Sequence, residues 1–238
     1  MAIRKLFIFI LSASFFVFVI PVKAQKNYKN INSIPKNVKH NNKTIKLKYG
    51  FQIIVNKEGE PLDSKYYSHL VIKRHGKTIF RDKLKDTLNE YEFKDKLYPI
   101  IDSLNGNTFE ILVEVNDRPS KSYLRYFKIV NDKILKIKEL PTFFGKAANL
   151  DNDSNLEYAG IRDLVEFISE EKVYYNPILY YEITSNGIVL DSVLTIRKNK
   201  YIYGRFMGFR SSENKVVSNK KTNLKIDKEI ARIMKACK

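Results

Sequence analysis

Short segments in which apolar and polar residues alternate, separated by turn signals, constrain the fold of this chain more than any other feature. The strongest turn signal is Asn186-Gly187, with strand-like segments on either side at 178–184 and 188–197. Asn-Gly favours a two-residue hairpin loop because both residues tolerate a positive φ. Alternation closed by hairpin turns is typical of antiparallel sheets. Further turns are predicted at His75-Gly76, at 105–107 and at Asn131-Asp132.

Strand-like segments recur about every ten residues, the spacing of a sandwich, a roll or an open meander. The other predicted strands are 44–56, a hairpin over 67–82, 108–115, 122–130, 133–140, 158–169 and 201–209. The segment 84–104 is harder to assign, because Tyr98-Pro99 favours a break and 100–104 fits one or two helical turns. Pro141 is expected to end the central meander, since proline has no N–H to donate.

The end of the chain has a different period. Ile226, Ile230, Ile233 and Cys237 recur at helical spacing, and Asn223 is placed to cap the N-terminus of a helix. We therefore predict an amphipathic C-terminal helix whose apolar stripe packs on the sheet. The predicted fold class is mainly β, as an antiparallel sandwich, roll or meander, with this helix at its end.

Residues 1–24 have the three parts of a secretory signal peptide. Arg4 and Lys5 form the positive start, 6–20 is an apolar run, and 22–24 is a small-x-small cleavage site. An N-terminal membrane anchor is the alternative, although the apolar run is short for a span. Cleavage would leave no transmembrane segment. We expect an exported protein, in the periplasm, at the cell surface or in the medium.

Residues 25–43 follow as a leader that is rich in Asn and Lys and lacks periodicity, which is typical of disordered sequence. The β-rich domain is predicted over 44–238, with 95–106 as the candidate boundary for a subdivision. A domain of this length can bury a sizeable core. Cys237 is the single cysteine, so no internal disulfide can form, and packing and a bound metal are the remaining ways to stabilise an exported chain.

The chain is strongly basic. Its formal charge is +17 at pH 7, and loss of Arg4, Lys5 and Lys23 with the signal peptide leaves +14. Such a charge favours anionic partners, here an anionic polymer, a glycan or a protein at the cell surface. The basic residues are spread along the chain, however, which is more often a matter of solubility. Nucleic acid is not expected, because no helix-turn-helix or aromatic RNA-reading motif is present.

One segment combines residue types that indicate a definite chemistry. Asn149, Asp151, Asp153, Asn155 and Glu157 occupy alternate positions. A loop with this spacing can direct its odd positions toward one hard cation, and calcium takes about six to eight oxygen ligands. We predict that these five residues bind one calcium ion, Asn155 through its carbonyl oxygen. The alternative is a polar turn, because Asn, Asp and Ser side chains bond to their own backbone in turns.

The segment 144–160 resembles one calcium loop of the FG-GAP (integrin-type) repeats, whose pattern is D-x-[DN]-x-D-G-x-x-D followed by an apolar strand. The Phe-Gly pair ending at Gly145 and the later Gly160 match the glycines that flank such loops. Asn149 replaces the first Asp of the pattern, and Ser154 replaces its glycine. The resemblance implies a structural calcium ion, and a single repeat cannot build a propeller. Similar single loops occur in small exported bacterial β proteins, including some that resemble periplasmic lysozyme inhibitors.

The expected function is that of a non-catalytic binding or surface-associated protein with one structural calcium loop. No H-E-x-x-H, G-x-S-x-G or P-loop motif is present. A secreted hydrolase with a glycosidase-like acid pair is the first alternative, and its candidates are Asp163 with Glu166, Glu170 and Glu171. A periplasmic enzyme inhibitor is the second, ranked lower because basic lysozymes would repel a basic chain.

A group of tyrosines close to the loop is the candidate binding surface. Its members are Tyr174, Tyr175, Tyr180 and Tyr181, on either side of Asn176-Pro177. Tyrosine faces with lysines nearby suit sugars, peptides or anionic polymers. The alternative is that the rings fill the β core, which is expected for at least half of them.

Overall fold

The computed structural model describes residues 41–57, 66–84, 89–93, 97–117, 121–162, 167–169, 172–218 and 220–237. The predicted signal peptide (1–24) and residues 25–40 of the predicted leader lie outside these ranges, whereas 41–43 lie in the first strand. The helices are α1 (Ser192–Tyr203) and α2 (Lys220–Ala236). The strands are β1 (Asn41–Lys46), β2 (Phe51–Lys57), β3 (Tyr66–Tyr67), β4 (His69–Arg74), β5 (Lys77–Lys83), β6 (Asn89–Glu92), β7 (Ile100–Asn105), β8 (Thr108–Asp117), β9 (Lys121–Val130), β10 (Lys133–Phe143), β11 (Glu157–Ile161), β12 (Phe167–Ser169), β13 (Lys172–Tyr175), β14 (Leu179–Thr184), β15 (Gly187–Leu190) and β16 (Ser212–Ser218).

Four strands form a small antiparallel sheet in the order β1-β2-β4-β5. The prediction of one strand over 44–56 is wrong, because Tyr49 and Gly50 take positive φ values of 59° and 76° and turn the chain back between β1 and β2. The alternation of apolar residues continues through this turn and therefore conceals it. The hairpin with a turn at His75-Gly76 is confirmed, since β4 pairs with β5.

A larger antiparallel sheet has the order β15-β14-β11-β10-β9-β8-β6-β3, and β7 also pairs with β8. Strands β8, β9 and β10 form the predicted meander, with the predicted turn at Asn131-Asp132. The segment 100–104, predicted as helical turns, is strand β7 instead, because its backbone pairs with β8 along most of its length. The mainly antiparallel β class is confirmed.

Pro141 does not end β10, which continues to Phe143. Pro141 is the last residue of β10 that pairs with β9, and Thr142 is the first that pairs with β11. The proline thus lies where the strand changes partner, and a missing N–H is least costly at such a place.

The second half of the chain departs most from the predicted strands. The segment 158–169 contains two strands in different sheets, because β11 joins the larger sheet and β12 joins a small sheet in the order β12-β13-β16. The Asn186-Gly187 hairpin is confirmed by β14 and β15. The predicted extension of its second strand to 197 is wrong, and so is the strand over 201–209.

Helix α1 occupies the second part of 188–197 and the first three residues of 201–209, and 204–209 form neither a helix nor a strand. Asp191 caps the helix by accepting a hydrogen bond from Leu194 N–H (2.8 Å), and Gly204 with φ 76° follows its last residue. Strand-like alternation across 188–197 conceals this cap in the sequence.

Among the described residues, three clusters of buried side chains form the core. The first lies between the small four-stranded sheet and one face of β8 and β9, and the second lies on the opposite face beneath the β14–β15 hairpin. The third lies between β11, β14 and the two helices. Alternation assigns neighbours to different clusters: Phe127 belongs to the first and Tyr126 to the second, while Tyr181 belongs to the second and Tyr180 to the third.

The predicted C-terminal helix is confirmed as α2. Ile233 and Cys237 are buried in the third cluster, and Ile226 and Ile230 pack against it. The helix begins at Lys220, so Asn223 lies inside it, and its assignment as N-cap is wrong because lysines that favour helix precede it. No helix in the described part of the chain is long and apolar enough to cross a membrane.

Candidate metal-binding loop

The candidate loop connects β10 to β11 and is closed at its base by backbone pairing. Ala148 N–H donates to Glu157 O (3.0 Å), and Glu157 N–H donates to Ala148 O (2.9 Å). Residues 149–156 therefore form a loop whose two ends are held together. Ile183 N–H also donates to Leu156 O (2.9 Å), which ties the end of the loop to β14.

Side chains within the loop bond to its own backbone. Asn149 Oδ1 accepts from Asn152 N–H (2.7 Å), and Asn152 has a positive φ of 70°. Asp153 Oδ1 accepts from Asn155 N–H (2.6 Å), and Asp151 Oδ1 accepts from Asp153 N–H (3.3 Å). Bonds of this kind favour Asn and Asp in turns. These hydrogen bonds explain part of the Asn and Asp content of the loop without a metal ion.

Three carboxylates come together in this loop. Carboxylate oxygens of Asp151, Asp153 and Glu157 lie within 4.8 Å of one another. Glu157 is buried, Asp151 is partly buried and Asp153 is exposed. The group thus has one side in the fold and one side open to solvent, so an ion from solution can reach it.

Glu157 is the most constrained of the three. Its residue surface is 1% exposed, and its Oε2 accepts a hydrogen bond from Leu150 N–H (2.7 Å). Burial raises the pKa of Glu157 to about 7. The negative charges of Asp151 and Asp153 act in the same direction, and the Leu150 hydrogen bond opposes them. The ionised form of this carboxyl is therefore unfavourable unless a positive charge lies close to it.

Arg197 on α1 makes the one ion pair with these carboxylates found among the described residues. Its Nη2 lies 3.2 Å from Asp151 Oδ2, and its side chain is 58% exposed. An exposed guanidinium offsets little of the repulsion among three carboxylates, because solvent screens it.

The loop is also fastened to the helix α2. Leu150 is buried in the third cluster, and its carbonyl accepts a hydrogen bond from Arg232 Nη1 (3.1 Å). Arg232 Nη2 pairs with Glu229 (2.7 Å), which accepts from Tyr180 Oη (2.7 Å) and lies 3.2 Å from Lys198 Nζ. We call Tyr180, Lys198, Glu229 and Arg232 the Glu229 cluster. It connects the base of the loop to both helices and to β14.

The pKa of Glu229 is shifted in the opposite direction from that of Glu157. Burial by itself would raise the pKa of Glu229, but hydrogen bonds from Arg232 and Tyr180, with the charge of Lys198, hold it at about 2. Glu229 is therefore ionised over the whole physiological range of pH.

Asn149 and Asn155, the two predicted ligands that are not carboxylates, bond within the loop. Asn149 Nδ2 donates to Asp153 O, and Asn155 Nδ2 donates to Asp153 Oδ2 (3.3 Å). The structure brings Asp151, Asp153 and Glu157 together as the sequence led us to expect. That any of the five residues binds calcium stays a prediction.

The two glycines that carry the FG-GAP resemblance both have packing roles. A Cβ on Gly160 would collide with the carbonyl oxygen of Thr142 on the paired strand β10. A Cβ on Gly145 would lie 2.6 Å from the Cβ of Cys237. Glycine permits both close approaches. The glycines are thus required by this fold independently of any ion.

The tyrosine group is mostly part of the core. Tyr175, Tyr180 and Tyr181 are buried, and Tyr174 is partly exposed. The interpretation of these rings as a binding surface is wrong for the three buried members, because Tyr181 packs in the second cluster and Tyr175 and Tyr180 pack in the third. The alternative, that at least half of them fill the core, is confirmed.

Two other sequence hypotheses concern residues away from the loop. The acid-pair candidates Asp163, Glu166, Glu170 and Glu171 lie outside the described residues, so the hydrolase alternative stays a prediction. Cys237 is buried, and burial raises the pKa of its thiol. A cross-link through this sulfur would require the end of α2 to open.

Two arginines that contact the loop could not be recognised from the sequence. Arg197 is 46 residues from its partner Asp151, and Arg232 is 82 residues from Leu150. No local spacing indicates such contacts. Arg232 lies in the predicted C-terminal helix, but Arg197 ends a segment predicted as strand, so no pattern in the sequence placed it beside the loop.

The chain was compared with known proteins. Comparisons with protein-family models, with curated proteins and with solved structures find no match.

Proposed function

We propose that this chain is an exported, non-catalytic binding or surface-associated protein in which residues 149–157 bind one calcium ion. The observation that carries the proposal is the approach of the Asp151, Asp153 and Glu157 carboxylates to within 4.8 Å of one another. Repulsion among three carboxylates, one of them buried, destabilises a fold unless a cation offsets it. A divalent ion supplies that charge.

The donor atoms favour calcium over softer metals. Every candidate side-chain donor is an oxygen, and the candidate set contains no histidine and no cysteine. Calcium prefers oxygen ligands, whereas zinc and copper sites use nitrogen and sulfur. Oxygens of Asn149 and Asn155 add to the three carboxylates toward the usual number of about six to eight. The expected dissociation constant is that of extracellular modules, on the order of 10⁻⁴ to 10⁻³ M.

The role proposed for the ion is structural. The loop joins β10 to β11, and Leu150 anchors it to α2 through Arg232. An ion that neutralises Glu157 stabilises the base of the loop and, with it, the contact between the larger sheet and the helices. No catalytic step is assigned to it.

Export and an anionic partner complete the proposal. The signal-like residues 1–24 support secretion, and the charge of +17, or +14 after cleavage, supports an anionic polymer, glycan or protein at the cell surface as partner. N-terminal sequencing of the protein recovered after export should begin at Gln25. A chain that still begins at Met1 would contradict cleavage.

Thermal unfolding tests the calcium site. Protein purified after export is melted in millimolar calcium and in excess EGTA, beside the Asp151→Ala/Asp153→Ala variant. Calcium should raise the melting temperature of the wild type, because a ligand that binds only the folded state stabilises it, and the variant should lose this rise. Equal melting temperatures of the wild type in calcium and in EGTA would refute the site.

A further inference from the structure

A groove lined by cations lies between the β14–β15 hairpin and strands β9 and β10. Its volume is about 470 Å³, which is in the range of small-ligand sites, about 300 to 1,000 Å³. Four cationic side chains line it, and Glu139 is the carboxylate among its lining residues. We call it the basic groove, after Lys128, Lys136, Lys138 and Arg162.

The lysines of the basic groove are held close together by the sheet. Lys128 on β9 stands directly opposite Lys136 on β10, and Lys138 follows two residues later on the same face. Like charges directly opposite each other destabilise a pair of strands. Burial lowers the pKa of Lys138, and the charges of Lys136 and Lys128 lower it as well, while the charge of the underlying Glu110 acts in the opposite direction. An anion in the groove would relieve this repulsion.

Two of the lysines are already oriented by the hairpin. Lys128 Nζ donates to Asn186 O (2.7 Å), and Lys138 Nζ donates to Ile188 O. An ammonium group has three donors, so each lysine has donor capacity beyond this hydrogen bond, and Lys138 Nζ also lies 4.5 Å from the centre of the Tyr126 ring. Side chains that are fixed before binding lose less entropy when they bind.

The hairpin that orients them is itself fixed from beneath. Ile188 N–H donates to Glu110 Oε1 (3.2 Å), which also accepts from the Tyr126 hydroxyl. A Cβ on Gly187 would collide with the Glu110 carboxylate, so this tip needs glycine. Glu110 is 2% exposed and lies under the groove, already engaged by these two donors. Buried hydrogen bonds to Glu110 therefore fix the position of the hairpin that forms one wall of the groove.

An apolar rim accompanies the cations. Leu135 is 67% exposed and Val189 is 46% exposed, and both line the groove. Exposed apolar side chains next to converging cations fit a ligand that joins a negative group to an apolar portion.

We propose that the basic groove binds a phosphate group carried by a molecule with an apolar portion. Four cations against the carboxylates of Glu139 and of the underlying Glu110 still leave a positive excess, which a phosphate monoester of about −1.5 to −2 charge offsets better than a single carboxylate. Phosphate oxygens also accept from several donors at once. The inference rests on the proposed function, because it names the chemistry of the anionic partner expected there. A soluble phosphate ester and a phospholipid headgroup are the two sources of this chemistry.

Calorimetric titration with hexyl phosphate tests the proposal on protein purified after export. The test variant is Lys136→Glu, whose side chain is exposed, and the matched control is Lys77→Glu on β5, an exposed lysine outside the groove. Replacing a cation of the groove with a carboxylate removes an attraction and adds a repulsion, so binding should weaken at least about tenfold in Lys136→Glu, and by less than about twofold in the control. Vesicles of phosphatidic acid in phosphatidylcholine, compared with phosphatidylcholine alone, test the headgroup as the source.

Binding of either probe supports the proposal if that binding depends on Lys136. Comparing hexyl phosphate with phosphatidic acid vesicles shows whether the groove takes a soluble ester or a lipid headgroup. Absence of binding to both probes, or equal weakening in the two variants, would overturn it. The calcium site shares no residue with the groove, so the two proposals fail separately. Calcium-dependent melting without phosphate binding would refute only the groove, and the reverse result would refute only the calcium loop.

Discussion

The 149–157 loop and the Glu229 cluster both contain a buried carboxylate near the third cluster of core residues, yet their negative charges are balanced to very different extents. In the Glu229 cluster, one carboxylate is met by Arg232, Lys198 and the Tyr180 hydroxyl, and its pKa is about 2. In the loop, three carboxylates share one exposed arginine, and the pKa of Glu157 is about 7.

The Glu229 cluster has enough positive charge to balance its carboxylate, whereas the 149–157 loop has too little to balance its three carboxylates. The Glu229 cluster needs nothing beyond the groups of the chain, because each of its charges has a partner. The loop has more negative charge than its neighbours offset, and this excess is the physical basis of the proposed calcium ion. Variants that alter one region and spare the other therefore test the contrast.

The largest effect is expected for Glu229→Gln. Removing the charge leaves Arg232 and Lys198 without their buried partner, and we expect a loss of about 3 kcal/mol in the free energy of unfolding. Urea unfolding in EGTA measures it. The matched control is Asp227→Asn, an exposed acid on the same helix, which should change stability by less than about 0.5 kcal/mol. Equal losses in the two variants would contradict the account of the cluster.

The pH dependence of stability sharpens this prediction. The folded-state pKa of Glu229 is about 2, below its ordinary value of 4.5. The stability that its ionised form provides is thus present above pH 4.5 and is lost as the pH falls from 4.5 through 2. The difference in the free energy of unfolding between the wild type and Glu229→Gln should therefore become smaller as the pH falls through this range. A difference that stays constant from about pH 5 to about pH 2.5 would be the contrary result.

The substitution Asp153→Asn should change the free energy of unfolding by a smaller amount, and the sign of the change should differ between EGTA and calcium. In EGTA the variant should be more stable than the wild type by about 0.5 to 1 kcal/mol, because one of three repelling charges is gone. In about 10 mM calcium it should be less stable, because an ion ligand is gone and the wild type gains about 1.4 to 2.7 kcal/mol by binding at the expected dissociation constant. The same rank order in both buffers would show that the loop is only a polar turn.

The smallest effect is expected for Arg197→Gln. Its ion pair with Asp151 is exposed, so stability in EGTA should fall by about 0.5 kcal/mol or less. Removing a positive charge beside the loop should tighten calcium binding, by about twofold. A calcium affinity weakened by this variant would mean that Arg197 orders the ligands rather than repelling the ion.

The sheets were predictable where local signals agree, as in the turns at His75-Gly76 and Asn186-Gly187. Prediction failed where two patterns overlap, as at 44–56, where alternation runs through a turn, and at 188–197, where it conceals the cap of a helix. It also failed at Pro141, because the change of partner strand at that residue is a property of the whole sheet.

The close approach of Asp151, Asp153 and Glu157 was predictable because these residues are neighbours in the chain. The charges around the loop were not. Arg197 reaches the loop from α1, and Arg232 reaches it from α2, across separations that spacing in a sequence does not encode. The basic groove was missed for the same reason, since its lysines come from two strands and its wall from a distant hairpin.

The most direct test of the central claim is calorimetric titration of calcium into protein that has been purified after export and freed of metal. The account predicts one ion per chain, with a dissociation constant on the order of 10⁻⁴ to 10⁻³ M, and no binding in Asp151→Ala/Asp153→Ala. Absence of binding in the wild type, or binding that the variant retains, would contradict it.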